Sequence, residues 1–351
     1  MSSRTYASSG RRVVLLAVVL LAAGAAVATA GDFSPLPEIN ERGGHIGYTL
    51  ARHYSLLIPG RETRFFGGAV FSYAPDVDAT LHDLGLGAVL IQNLAGDRIT
   101  GAFQLDLATR VHAVYRLPAG RDAAGAQTAG AVPAGFFVES EPYPLAGSEI
   151  DLRFITADTY FFPERAFAAR AGTAVAFGLT DEPYSTTHLT GSMEAVIPLF
   201  TPLVQVDLDA RYRGYLNPGW LAGPAPASAL SSIRLRGYTG TDRLAHGGSA
   251  SASVTVRLPF ELYVPMTAGG GAYVDAGRVS ASAAGLVRVS GEEATGAAVA
   301  GGFVEHRILA PFRIGSVVLS AGIGANLPDL TLSDPWFRVD YRTGWFFSDP
   351  L

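Results

Sequence analysis

The chain has 351 residues, 41 of them glycine, with 16% charged residues and a net charge of −5. It has no cysteine, which excludes a disulfide scaffold, a thiolate metal site and a lipid-anchored N-terminal cysteine. All its basic residues are arginine, with no basic run, and the balance is acidic, which argues against nucleic-acid binding.

Residues 1–30 read as a signal peptide. Arg4, Arg11 and Arg12 precede an apolar run over residues 13–27, and Ala28-Thr29-Ala30 is a small-x-small cleavage site. The apolar run is short for the ~20 residues that a membrane helix needs. No later stretch is long and apolar enough to span as a helix. Residues 31–44 then read as a short periplasmic segment and 45–351 as one large β-domain.

From there a period of two dominates. In 103–117 one face carries Phe103, Leu105, Leu107, Val111, Tyr115 and Leu117, and the other Gln104, Asp106, Arg110, His112 and Arg116. The same split recurs in 204–216, 252–262 and 337–347. These are strands with one apolar and one strongly charged face. Further strands are expected at 45–57, 62–74, 80–94, 134–145, 147–160, 166–179, 186–199, 266–280, 297–309 and 312–324. The region 97–117 supplies one strand or two short ones. The total is 14 to 16, with no helix after the signal.

Segments of 11 to 15 residues exceed the ~5–6 usual in globular sheets. They suit the ~9–11 residues of a tilted membrane-crossing strand. Phe65-Phe66, Tyr160 to Phe162, Trp336-Phe337 and Trp345 to Phe347 stand at strand ends, where interfacial girdles belong. A barrel near 16 strands is too wide to fill with side chains, so its charged face points to a wet lumen and its apolar face to lipid. The expected class is therefore an all-β transmembrane antiparallel barrel of about 16 strands, located in the outer membrane with outer-membrane lipid as its surroundings. A secreted soluble β-protein is the alternative that the period leaves open.

Two Arg-Gly-Tyr tripeptides interrupt this pattern differently. Arg213-Gly214-Tyr215 continues the alternation from Val204 and needs no further explanation than the end of a strand. Arg236-Gly237-Tyr238 lies in a connection of about 30 residues without period, which is long for a structureless loop. Leu235-Arg236-Gly237-Tyr238, then Arg257-Leu258-Pro259, then Tyr273-Val274-Asp275-Ala276-Gly277 resemble the C-terminal barrel of the BamA/TamA outer-membrane assembly family. Two-partner secretion transporters and bacterial surface-antigen proteins belong to the same superfamily.

The resemblance is firm over residues 230–280, weaker to 347, and rests on strand number before that. It implies a loop folded into the lumen, with Arg236 paired to Asp275 on the inner wall. Gly237 would turn the loop tip and Tyr238 would pack beside it. Arg257, Tyr273, Asp275 and Gly277 would line the wall. It also implies five strands after the loop, the number that the period supplies. Thr255 stands where the family often has glutamate. The family's POTRA domains have no room in residues 31–44, so the expectation is a POTRA-less barrel whose recognition domain comes from a periplasmic partner chain, with client proteins as the other partners. The function implied is aid to protein insertion or translocation across the outer membrane. The alternative is a passive channel or structural surface protein.

No catalytic role is expected. The seven histidines show no metal-ligand spacing, and neither metal nor cofactor is expected. Gly269-Gly270-Gly271 and Gly322-x-Gly324 open no helix, so neither is a phosphate loop. His246-Gly247-Gly248 lacks an accompanying G-x-S-x-G and reads as a turn. Ser185 with His188 is the one pair offering a nucleophile and a base, without an orienting motif. Glu292-Glu293 reads as a hairpin turn.

Overall fold

The computed structural model describes residues 35–40, 43–54, 56–75, 79–96, 103–120, 136–139, 141–158, 163–181, 183–216, 224–233, 235–238, 242–261, 265–287, 294–309, 316–327 and 329–342. The signal sequence and the aromatic clusters at 160–162 and 345–347 lie outside these residues. Among these residues fourteen strands form one antiparallel ring in chain order. They are β1 (Pro35–Asn40), β2 (Gly43–Tyr54), β3 (Glu62–Pro75), β4 (Ala79–Gly96), β5 (Gln104–Gly120), β6 (Tyr143–Ala157) and β7 (Ala166–Gly178). The second half is β8 (Tyr184–Pro198), β9 (Val204–Leu216), β10 (His246–Glu261), β11 (Pro265–Ser280), β12 (Ala294–Leu309), β13 (Ser316–Leu327) and β14 (Trp336–Arg342). The expected five strands after the long loop are β10 to β14. Each strand pairs with its neighbour in sequence. Among the described residues the ring returns from β14 to β1 at Ile39 opposite Tyr341.

The alternation seen in the sequence sorts side chains between two surroundings. Leu84, Leu86, Tyr115, Ile150, Leu152, Leu189, Met193, Val254, Val256, Leu258, Val274 and Val304 are exposed on the outside. Their strand neighbours Asp106, Arg110, Asp151, Arg170, Arg257 and Asp275 are buried inside. A sheet with its apolar residues bare and its charges covered is inverted relative to a water-soluble one, as membrane barrels are. The outer aromatics define a band. Phe103 stacks near Phe154, with ring centroids 6.0 Å apart, and Phe154 lies 6.1 Å from Phe167, all at the end with the short turns. Phe167 and Phe177 share the outer face of β7, ten residues apart. At about 3.3 Å per residue and a tilt of about 40°, they stand roughly 25 Å apart along the barrel axis, the height of a lipid-facing band.

Four local expectations are corrected. Residues 35–40, expected in a segment ahead of the barrel, form its first strand and pair over six residues with β2. The expected strand at 134–145 does not join the wall: its Phe136–Phe137 pairs in parallel with Ala225–Pro226 in a two-stranded patch. With 147–160, that region therefore contributes one barrel strand, β6. His246-Gly247-Gly248 begins β10 rather than turning. A one-turn helix, α1 (Ala283–Val287), follows β11, where no helix was expected. The Phe136–Phe137 patch reflects a pairing partner distant in sequence, which local period does not encode.

Candidate lumenal site

The long connection between β9 and β10 folds into the lumen. Ala225, Ala227, Ala229, Leu230 and Ile233 are buried there. A 3-10 turn over Ala227–Ala229 has no side-chain cap, and the short pair Ser231–Ser232 with Arg243–Leu244 closes the loop's base. Ala and Pro suit this path because they present no side-chain polar group to the interior.

At its tip, Arg236 meets β11. Its Nε donates to Asp275 Oδ2 at 2.8 Å and its Nη2 to Asp275 Oδ1 at 2.6 Å. The backbone N–H of Arg236 donates to the same carboxylate at 3.2 Å, and Nη2 also reaches Ser251 Oγ on β10 at 2.7 Å. Asp275 is 3% exposed. A bidentate pair matches the planar guanidinium fork to the carboxylate. The guanidinium lies over the Tyr273 ring, 3.9 Å from its centroid, with Phe303 and Trp336 at 5.6 and 5.7 Å. Trp336 Nε1 donates to the Tyr273 hydroxyl at 3.1 Å, which fixes that ring. Tyr273, Val299 and Phe303 form a buried apolar cluster against which Leu235, Tyr238 and Trp336 pack. The arginine thus has charge on one side and ring faces on the other, both stronger where water is thin. Burial, with Asp242 nearby, pushes the Tyr238 phenol above its ordinary value.

Two glycines make the approach possible. Gly237 has φ +72°, and a Cβ there would stand 2.5 Å from the Asp334 carbonyl oxygen. That contact matters because Asp334 N–H donates to the Gly237 carbonyl at 3.1 Å, joining the β13–β14 connection to the loop tip. At Gly277 a Cβ would meet Ile233 Cγ2 at 2.8 Å, so this position on β11 must be bare for the loop to pass.

The expected residues Leu235, Arg236, Gly237, Tyr238, Tyr273, Asp275 and Gly277 are thus brought together. Arg257 is not with them. It lies on the same inner wall toward the short-turn end, where Nη2 reaches Asp207 at 2.6 Å, Nε reaches Glu305 at 3.0 Å, and Nη1 bonds Gln205. Thr255, in the place of the family's glutamate, donates to Asp207 at 3.1 Å. The acids that face Arg257 come from β9 and β12. Ser251, Phe303, Trp336 and Asp334 were missed. Trp336 was assigned to a girdle; its position on the lumenal face of β14, opposite in parity to exposed Phe337, could have signalled otherwise.

A second attachment, not foreseen, lies across the lumen. Glu139, in the β5–β6 connection, accepts from Arg116 Nη1 at 3.0 Å and from Ser228 Oγ at 2.9 Å, and bonds Tyr143. Arg116 also holds Asp83 of β4 through two bonds, at 2.7 and 2.8 Å. Phe137 packs with Val70, Val114, Tyr143, Leu145 and Tyr184. His188 Nε2 lies 2.9 Å from the Ala229 carbonyl oxygen. The two long connections therefore form one plug touching opposite walls. Ser185 and His188, three apart on β8, face opposite sides of the wall and do not meet. Among the described residues no group of three or more His, Cys, Asp or Glu is placed to hold a metal.

The geometry can be set beside known proteins. No family model matches the sequence, and no curated protein matches it. Among solved structures, BamA from Haemophilus ducreyi lacking POTRA domains 1-3 superposes with a TM-score of 0.51 at 13% identity. The match covers 86% of this chain and 61% of that one. The fold is that of the BamA barrel. In this BamA-like barrel, the loop tip, the β11 carboxylate and the five closing strands occur in the order that the motifs implied.

Proposed function

We propose that the chain is an outer-membrane barrel that helps polypeptides insert into or cross that membrane, using the β1–β14 seam as the place where the wall opens. The observation that carries this reading is the seam itself. It is where the first and last described strands meet, at Ile39 opposite Tyr341, with no turn joining them, whereas every other pair of neighbours in the ring is consecutive in the chain. Ladder hydrogen bonds alone hold the wall there, so it can part without straining a connecting turn. The outer aromatic band and the lumenal charges support membrane placement. In this reading Arg236–Asp275 is a strut that holds the loop inside while the wall moves. It takes no chemical part, and recognition of clients belongs to another chain.

The test joins depletion of the protein, with quantitative proteomics of the outer membrane, to an Ile39→Cys/Tyr341→Cys variant. The native chain has no cysteine, so the disulfide would form at one place. The expected results are loss of other barrels on depletion and the same loss on oxidising the double variant, reversed by reductant. Unchanged barrel levels with altered small-solute uptake would instead establish a passive channel, and no change in either a structural surface protein.

A further inference from the structure

Charge is distributed unequally between the two faces of the wall. Arg64, Arg110, Arg116, Arg153, Arg170, Arg211, Arg257 and Arg307 face the lumen, and each makes an ion pair there. Arg278 is different. It follows Ala272, Val274 and Ala276 on the outer face of β11, two residues before the strand ends on the long-loop side. Among the described residues it is the one strand arginine turned outward, and no described carboxylate pairs with it. An arginine on the outer face is costly at mid-membrane but well tolerated near the interface. Arg278 is therefore placed at headgroup depth, with no donor spent on a described carboxylate.

Its surroundings are shaped around it. Opposite Arg278 stand Gly248 on β10 and Gly296 on β12. At Gly296 a Cβ would lie 3.8 Å from Arg278 Cγ, and at Gly248 the space is taken by Leu286 of α1, 3.9 Å away. Helix α1 thus lies against the outer wall, and Val287 at its end is 84% exposed. One step along the sheet, His246 lies opposite Ser280, a diagonal neighbour of Arg278 at about 7–8 Å between backbones. Its Nδ1 lies 3.0 Å from the Tyr212 hydroxyl, and the two rings stack over the bare surface of Gly214. In the tautomer in which Nδ1 accepts from the tyrosine hydroxyl, Nε2 carries the hydrogen.

We propose that Arg278 and His246 form a site on the outer wall for the phosphate of an anionic membrane-lipid headgroup, with α1 and the Tyr212 ring against its acyl portion. The guanidinium supplies a two-pronged donor and the imidazole a third N–H. This rests on the reading of the chain as a membrane barrel and adds a ligand class to its outer surface.

The test uses the full-length chain reconstituted in phosphatidylcholine nanodiscs containing a minor fraction of phosphatidic acid, with retained lipid measured by native mass spectrometry. The expected result is selective retention of phosphatidic acid, reduced at least tenfold in Arg278→Gln and several-fold in His246→Gln. Arg165→Gln, at the opposite rim, should leave it unchanged. Equal retention by Arg278→Gln would overturn the site, and so would equal losses in Arg165→Gln, which would mean bulk charge attraction. Displacement by inorganic phosphate at matched concentration would overturn the lipid as the source. If Glu292→Gln/Glu293→Gln and Arg278→Gln lower the thermal midpoint alike without altering lipid retention, Arg278 serves an internal ion pair and the proposal fails. A chain that does not enter the bilayer as a heat-modifiable barrel would refute the membrane reading; one that enters without selecting lipid refutes only this site.

Discussion

The plug is pinned to the barrel at two places, and the two pins have opposite polarity. At β11 the loop brings the cation, Arg236, and the wall supplies Asp275. At β5 the wall supplies Arg116 and the loop brings the anion, Glu139. They differ also in redundancy. Asp275 is satisfied chiefly by Arg236, through side chain and backbone. Arg116 keeps Asp83 whatever happens to Glu139. A buried acid that depends on one arginine is badly exposed to that arginine's loss, whereas a shared arginine is not. The first pin should therefore dominate the attachment of the loop, and the second should tune it.

The largest effect is expected from Arg236→Ala, which leaves Asp275 buried without its cation. A loss of about 3–5 kcal/mol follows, read as a lower urea midpoint for the heat-modifiable band. Arg236→Lys should recover only part, because an ammonium cannot bond both carboxylate oxygens in a plane or stack on Tyr273. An unchanged midpoint in Arg236→Ala would remove the strut from the account.

Next comes Gly237→Ala. The positive φ and the crowding against the Asp334 carbonyl should cost about 1–3 kcal/mol, and hydrogen exchange at Asp334 should rise as its bond to Gly237 lengthens. If exchange there stays slow, the two connections are not coupled at this point. Glu139→Gln should cost less, about 1–2 kcal/mol, since Arg116 retains its Asp83 pair. If this variant proves as damaging as Arg236→Ala, the difference between the pins is wrong. The smallest effect is expected from Trp336→Phe, about 0.5–1.5 kcal/mol for a single lost hydrogen bond to Tyr273. Single-channel conductance of Arg236→Ala combined with Glu139→Gln sharpens the comparison further. A plug held from both walls gives a larger increase in the double variant than the two single increases together.

The legibility of these two pins in the sequence was unequal for a physical reason. Asp275 could be named because its neighbours Ala272, Val274 and Ala276 fix which face of β11 looks inward, and because Arg236 stands off any alternating lattice. Arg116 was visible as a polar-face residue, but Glu139 lies in a segment whose sequence reads as a wall strand. Trp336 was assigned to the interface because aromatics at strand ends usually go there; one residue of parity turned it onto Arg236 instead. A shift of one position exchanges the two faces, so end-of-strand assignments are where alternation is weakest.

The sequence by itself determined the strand period, the inward placement of charge, the wall position of Asp275 and the exceptional character of the 217–245 connection. These follow from residue-by-residue alternation, which is local. Among the described residues, tertiary structure alone decided the fourteen-strand ring, the joining of residues 35–40 to it, the meeting of β1 with β14 and the meeting of two distant connections across the lumen. Each is a contact between segments far apart in the chain, selected by which buried donors and acceptors find partners once the wall has formed.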